Sequence, residues 1–346
     1  MNPPPHGRLG PNPAWVLGGY LLGVFLGGAL LAPWLWSLAQ TVVPGSALAQ
    51  QPFRRYVDRS LLGLAILGLW PMARSGRFPG WHSIGFRWGP RSLRDLVLGL
   101  CGGMGSLAAV AALALGFGAR SWNADHSAGQ FLDHLVRALG AAVAVSFLEE
   151  LLFRGMVFGS LRRRFPFAVS AILSAGLFAV VHFFQRPEPP ASVGPWTGFE
   201  MLGRMLGGLV AWETLFPGIL TLGMIGALLA WCRERTGSLW LPFGLHAGWI
   251  FWFKSYQFLT DATARGDRGA WWWGSTRLHD GWVTFLVLAL TTLVFIRTLG
   301  KPRAREQQAK AEGHRELFQC GHGESPFCDG VAARRECREF FPLLVF

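Results

Sequence analysis

The chain has 346 residues, of which 51% are hydrophobic and only 15% are charged. An ordinary soluble domain carries about 25% charged residues, so this composition excludes that class and predicts a multi-pass membrane protein. The formal net charge of +12 would suggest nucleic-acid binding in a soluble chain. In a membrane protein, clusters of basic residues instead mark the cytoplasmic loops. We therefore expect the lipid bilayer as a partner, and no nucleic acid.

Apolar runs along the sequence predict the membrane spans. A span needs about 20 predominantly apolar residues, and the sequence contains seven suitable runs and a shorter one. In chain order these runs are Ala14–Leu38, Leu61–Ala73, Leu96–Gly118, Ala138–Gly159, Phe167–Phe184, Leu215–Trp231, Leu239–Leu259 and Trp282–Ile296. The predicted fold class is all-α, a polytopic bundle of about eight transmembrane helices.

The distribution of basic residues predicts the orientation. If all eight runs cross and the N-terminus is cytoplasmic, the main basic clusters share the cytoplasmic side with both termini. These clusters are Arg74/Arg77/Arg87/Arg91/Arg94, Arg162/Arg163/Arg164, Arg233/Arg235 and Arg297/Lys301/Arg303/Arg305. The preference for arginine, alanine, glycine and leucine is typical of a GC-rich bacterial genome. We expect a protein of the bacterial inner membrane.

The chain divides into two predicted regions. Residues 1–300 form the transmembrane domain, and residues 301–346 form a polar cytoplasmic tail that we expect to be partly disordered. Cys320, Cys328 and Cys337 lie in this tail, but their spacing matches none of the common zinc frameworks. A reduced tail without a metal is the preferred interpretation.

Two adjacent glutamates interrupt the fourth run. An ionised carboxylate in hydrocarbon costs several kcal/mol or more, so acidic residues persist inside spans mostly where they face a polar cavity. Glu150 and Arg154 are four residues apart and share a helical face, while Glu149 points to a neighbouring face. This pattern favours a Glu150–Arg154 pair as an internal strut and a free Glu149 that accepts a proton. The alternative is one buried ionic lock between helices.

Two histidines lie in other apolar runs. Phe178 and His182 are one turn apart at the end of the fifth run, and His246 lies in the seventh. Taken singly, His182 could be an interfacial or capping residue and His246 a hydrogen-bonded core residue.

The order of these motifs resembles the CPBP family of intramembrane endopeptidases, which includes CAAX prenyl proteases and abortive-infection and bacteriocin-processing relatives. The matching segments are EELLFR at Glu149–Arg154, FAVVH at Phe178–His182 and HAGWI at His246–Ile250. The resemblance covers residues 83–252, which we expect to form the catalytic core. It implies that Glu149, Glu150, His182 and His246 are catalytic, and that Arg154 and Phe178 support them.

The third motif departs from the family pattern. Family members usually place Asn or Asp four residues after the last histidine, where it helps to hold the oxyanion or the attacking water. Ile250 occupies that position here, and isoleucine neither donates nor accepts a hydrogen bond. Lys254, one turn further along, could supply a donor or could be an interfacial lysine whose amine reaches the membrane surface.

The resemblance implies an intramembrane endopeptidase that cleaves a membrane-embedded or membrane-anchored peptide or protein. In the preferred mechanism Glu149 activates a water molecule and no cofactor is needed. Zinc bound by Glu149, His182 and His246 is the alternative, because two histidines and a carboxylate form a common catalytic zinc set. Two other classes stay open: a non-catalytic membrane scaffold of the same fold, and a proton-coupled transporter.

Overall fold

The computed structural model describes residues 13–75, 84–185, 187–209, 212–274 and 281–299. The longer helices are α1 (Pro13–Val42), α2 (Phe53–Ser75), α3 (Ser92–Gly116), α4 (Ala128–Glu149), α6 (Phe167–His182), α8 (Trp212–Thr236), α9 (Trp240–Leu259) and α12 (Trp282–Thr298). A π-helical segment (Glu150–Phe158) and the short α5 (Gly159–Arg162) continue α4 without a break. The remaining helices are α7 (Thr197–Leu206), a 3₁₀ turn (Gly207–Leu209), α10 (Ala264–Arg268) and α11 (Ala270–Trp273).

Each predicted span overlaps one of these helices, and the predicted helical membrane bundle is confirmed. Among the described residues, three helical stretches are long and apolar enough to cross a membrane, namely Trp15–Val42, Ser92–Gly116 and Leu215–Thr236. Helices α6 and α12 are apolar but shorter. The other predicted spans, Leu61–Ala73, Ala138–Gly159 and Leu239–Leu259, also lie in helices, but these helices do not combine the length and apolar composition of the three stretches. The predicted tail, with Cys320, Cys328 and Cys337, lies outside the described residues.

A two-stranded antiparallel ribbon adds to the predicted all-α fold. Strand β1 (Arg120–Trp122) pairs with β2 (Thr260–Ala262), and Ser121 lies opposite Asp261. β1 follows α3 and β2 follows α9, so the ribbon ties the end of α9 to the connection between α3 and α4. The side chain of Arg120 reinforces this tie, because it donates to both the hydroxyl and the carbonyl of Thr260.

Glycines let α3 and α9 pack with their backbones in close contact. Gly99 and Gly103 on α3 face the backbone of Leu241 and Leu245 on α9, and a Cβ atom at either glycine would collide with that backbone. Gly244 and Gly248 on α9 are in the same situation against α3. Such small residues spaced by four permit close helix packing in membranes, where van der Waals contact replaces the hydrophobic effect. This contact fixes the position of α9, which carries His246.

The main core surrounds the predicted catalytic residues. It combines Phe153 of the π segment, Phe178 of α6, Leu229 of α8 and Leu245 of α9, all of them buried. The indole of Trp249 donates to the hydroxyl of Ser106 at 2.9 Å and adds a buried polar link between α9 and α3. The helices that carry the predicted site residues are therefore packed against one another.

The glycine contact between α3 and α9 gives a matched test. We expect Gly103→Ala to lower the free energy of unfolding by about 1–3 kcal/mol, because its methyl group would overlap the Leu245 carbonyl. Gly105→Ala on the same helix should be neutral or slightly stabilising, since no atom lies within 4 Å of the position that its new methyl group would take. Unfolding of both variants in detergent micelles would measure the difference, and equal stability would contradict the packing described here.

Candidate active site

A change of helix type separates the two adjacent glutamates. Glu149 is the last residue of α4, and Glu150 is the first residue of the π-helical segment. π-Helical turns are rare in proteins, and those that do occur often lie at functional sites. The two side chains lie in different environments: that of Glu150 is fully buried, whereas 25% of that of Glu149 is exposed. Glu149 is therefore the more accessible of the two carboxylates, although its Oε2 atom is buried and has no hydrogen-bond partner among the described residues.

Glu150 links the π segment to α9. Its Oε1 atom lies 3.1 Å from Nη1 of Arg154 and 2.8 Å from Nδ1 of His246. Helix spacing predicted the contact with Arg154, whereas the order of the motifs predicted only that Glu150 and His246 share one site, without a direct contact between them. That contact joins residues 96 positions apart and depends on how α9 packs against α4. Glu150 thus holds the histidine as well as the arginine.

Arg154 is enclosed by the core and is only 1% exposed. Its guanidinium carbon lies 4.3 Å from the centre of the Phe178 ring, a distance at which a cation is attracted to an aromatic face. The contact with Glu150 is an ion pair by distance, although its angle falls outside that of a hydrogen bond. Arg154 supplies the positive charge that compensates the buried Glu150.

The two histidines meet at Glu149. Nε2 of His182 and Nε2 of His246 each lie 3.7 Å from Oε2 of Glu149. The structure therefore brings together Glu149, Glu150, His182 and His246, which lie at the junction of α4 and the π segment, on α6 and on α9. A distance of 3.7 Å is too long for a direct hydrogen bond, but a single water molecule can bridge polar groups at such separations.

Hydrogen bonds orient both imidazole rings. Nδ1 of His182 donates to the backbone carbonyl of Phe178 at 2.7 Å, and Nδ1 of His246 donates to the Glu150 carboxylate at 2.8 Å. Because both acceptors lie on the far side of the rings, each Nε2 atom faces Glu149. A second partner that fixes the orientation of a histidine in this way is a common arrangement in catalytic sites.

Ile250 occupies the position at which the family usually has Asn or Asp, and it gives the site no hydrogen-bonding side chain there. Ile250 is half-buried one turn after His246 on α9. Lys254 is exposed and lies towards His134, a residue that precedes the apolar part of α4. Partial burial, and then the positive charge of Lys254, lower the pKa of His134. Among the described residues, no contact joins Lys254 to Glu149, His182 or His246.

Comparison with known families identifies this region. Residues 131–252 match the family described as type II CAAX prenyl endopeptidase, Rce1-like. The match contains all three motifs, and it confirms the resemblance to the CPBP membrane proteases that the sequence predicts. A search of curated proteins and a search of solved structures each found no match. This part of the chain is thus similar to that family of membrane proteases, and the chain is an integral membrane protein.

The buried pair and the exposed carboxylate should respond differently to substitution. We expect Arg154→Met to lower the free energy of unfolding by roughly 3–5 kcal/mol, because it removes the buried guanidinium that compensates the Glu150 carboxylate. Glu149→Gln should leave stability almost unchanged, since Glu149 is partly exposed and the amide keeps its shape. Unfolding in detergent micelles measures both variants, and similar losses in the two would refute this division of roles.

Proposed function

We propose that the protein is an intramembrane endopeptidase in which Glu149 activates the attacking water. Its substrate is a membrane-associated or lipid-anchored protein or peptide. The observation that carries the proposal is the position of Glu149 Oε2 between two imidazole Nε2 atoms, each 3.7 Å away. The match to a CAAX endopeptidase family supports a peptide bond as the target.

The balance of charges in the cluster gives a reason for His246 to carry an additional proton. Glu149, Glu150 and Arg154 together carry two negative charges and one positive charge when all are ionised. A buried group of charges is most stable when it is neutral overall and hydrogen-bonded. One further proton neutralises the set, and the imidazole of His246 can hold it between Glu150 and the site. Its Nε2–H, on the side of the ring that faces Glu149, is then available to a substrate carbonyl bound beside that carboxylate.

Hydrolysis then follows from the positions of these groups. A water molecule between Glu149 and His182 gives one hydrogen bond to the carboxylate and another to Nε2 of His182. Glu149 removes a proton while the water oxygen bonds to the carbonyl carbon of the substrate. The Nε2–H of His246 donates to the resulting oxyanion. When the C–N bond breaks, Glu149 passes its proton to the leaving amine, and the carboxylate is restored.

The same three residues are the predicted set for zinc. Two histidines and one carboxylate with an open position are a common catalytic zinc arrangement. Among the described residues, however, no group of three or more His, Cys, Asp or Glu is arranged to hold a metal ion. The mechanism in which Glu149 acts directly is our proposal, and metal analysis of the purified protein is part of its test.

Ile250 favours a second candidate function, a non-catalytic membrane scaffold. Loss of one oxyanion donor can reduce a rate by about 10²–10³, and the isoleucine at this position supplies none. The partly exposed Glu149 and His182, at 25% and 29%, argue for the enzyme because a scaffold has no need to keep them accessible.

We place the protein in a bacterial inner membrane with both termini cytoplasmic, as the basic clusters predict.

Removal of the proposed base should abolish cleavage. We expect Glu149→Gln to reduce the rate by about 10²–10⁴, the usual contribution of general base catalysis. Purified full-length protein in detergent would be incubated with a farnesylated CAAX peptide and with non-prenylated transmembrane peptides, and the products identified by mass spectrometry. Glu200→Gln, which breaks an exposed ion pair on α7, is the control and should retain wild-type activity.

Metal content distinguishes the two mechanisms in the same preparation. If Glu149 acts directly, active protein contains less than one equivalent of zinc and keeps its activity with a zinc chelator. Stoichiometric zinc, together with loss of activity on chelation, would assign Glu149, His182 and His246 to a metal instead.

The departure at position 250 gives a gain-of-function test. We expect Ile250→Asn to raise turnover by about tenfold or more, because the amide places a donor one turn beyond His246. Lys254→Met should change little, since Lys254 lies towards His134. Loss of cleavage in Lys254→Met, with no gain in Ile250→Asn, would assign the donor role to the lysine. No cleavage in the wild type or either variant, for any peptide tested, would favour the scaffold.

A further inference from the structure

An apolar groove lies between α1 and α2, on a part of the chain outside the family match. It has a volume of about 370 Å³, and its walls include Leu38 and Val42 of α1 and Leu48 of the connection. These three side chains are between 51% and 66% exposed. In a bilayer, such a surface is in contact with lipid chains.

Two arginines line the same groove. Arg55 and Arg59 are four residues apart in the first turns of α2, so both extend from one face of the helix. No ion pair of either residue is found within the described parts of the chain. The start of α2 adds to their effect, because backbone N–H groups give a helix N-terminus a partial positive charge. The groove thus has an almost wholly apolar wall, with two positively charged side chains at its edge.

The groove wall is held by hydrogen bonds in the short connection between the helices. The hydroxyl of Tyr56 donates to the carbonyl of Leu48 at 2.7 Å, and the amide of Gln40 donates to the carbonyl of Ala49 at the same distance. These bonds join α1, the connection and α2. A surface that is ordered before its ligand arrives loses less entropy on binding.

We propose that this groove binds an anionic phospholipid. The acyl chain lies along Leu38, Val42 and Leu48, and the phosphate-containing headgroup contacts Arg55 and Arg59. The groove reaches the ends of both helices, where α1 stops at Val42 and α2 starts at Phe53. Its arginines are therefore at headgroup depth in the leaflet that meets this connection. Basic residues near a membrane surface attract anionic lipids in this manner.

Binding of two lipids with identical acyl chains tests the proposal. The probes are phosphatidylglycerol, with a net negative charge, and phosphatidylcholine, which is neutral overall. They would be titrated into the purified full-length protein in detergent and counted by native mass spectrometry. The wild type should prefer phosphatidylglycerol by on the order of tenfold or more. The double variant Arg55→Gln/Arg59→Gln should lose this preference and still bind phosphatidylcholine.

Two further variants distinguish lipid binding in the groove from a non-specific attraction between anionic lipid and basic residues. Leu38→Trp keeps both arginines but fills the apolar wall, and it should weaken both lipids. Arg265→Gln/Arg268→Gln removes the same charge from the exposed α10 and should keep the wild-type preference. The proposal is overturned if the wild type shows no preference, or if the α10 variant loses it equally. Because binding is measured directly, the outcome does not depend on whether the protein cleaves peptides.

Discussion

The structure depends on a group of charges held inside an apolar bundle. Glu150 and Arg154 are both buried, and their contact at 3.1 Å compensates charges that would each cost several kcal/mol if left alone. Glu150 uses the same oxygen to hold His246, and Arg154 lies over the ring of Phe178. One ion pair therefore sets the positions of α4, α6 and α9 relative to each other.

The rest of the fold supports this arrangement through close packing. Glycines bring the backbones of α3 and α9 into contact, and the β-ribbon ties the end of α9 to the connection before α4. The change to π-helical geometry at Glu150 leaves one glutamate enclosed and its neighbour accessible. The buried carboxylate of Glu150, which holds the helices together, and the partly exposed carboxylate of Glu149, which we propose as the base, thus belong to adjacent residues.

The family match covers residues 131–252, yet the site is also enclosed by residues that precede it. Met72 of α2 and Ile84 pack in one cluster with Leu151, Met156 and Val157 of the π segment. The N-terminal hairpin of α1 and α2 therefore supports the segment that carries Glu150. The groove between α1 and α2, for which we propose a lipid, lies on the same hairpin.

The sequence by itself determined the membrane class, the approximate spans and the motif residues, because hydrophobicity and i, i+4 spacing are local properties. It placed Glu150 and Arg154 together for the same reason. Only the tertiary structure decided that Glu150 also binds His246, that the helix becomes π-helical there, and that strands β1 and β2 pair. It also decided that Lys254 lies towards His134. These contacts join residues far apart in the chain, so they depend on how the helices pack, and no local pattern encodes that.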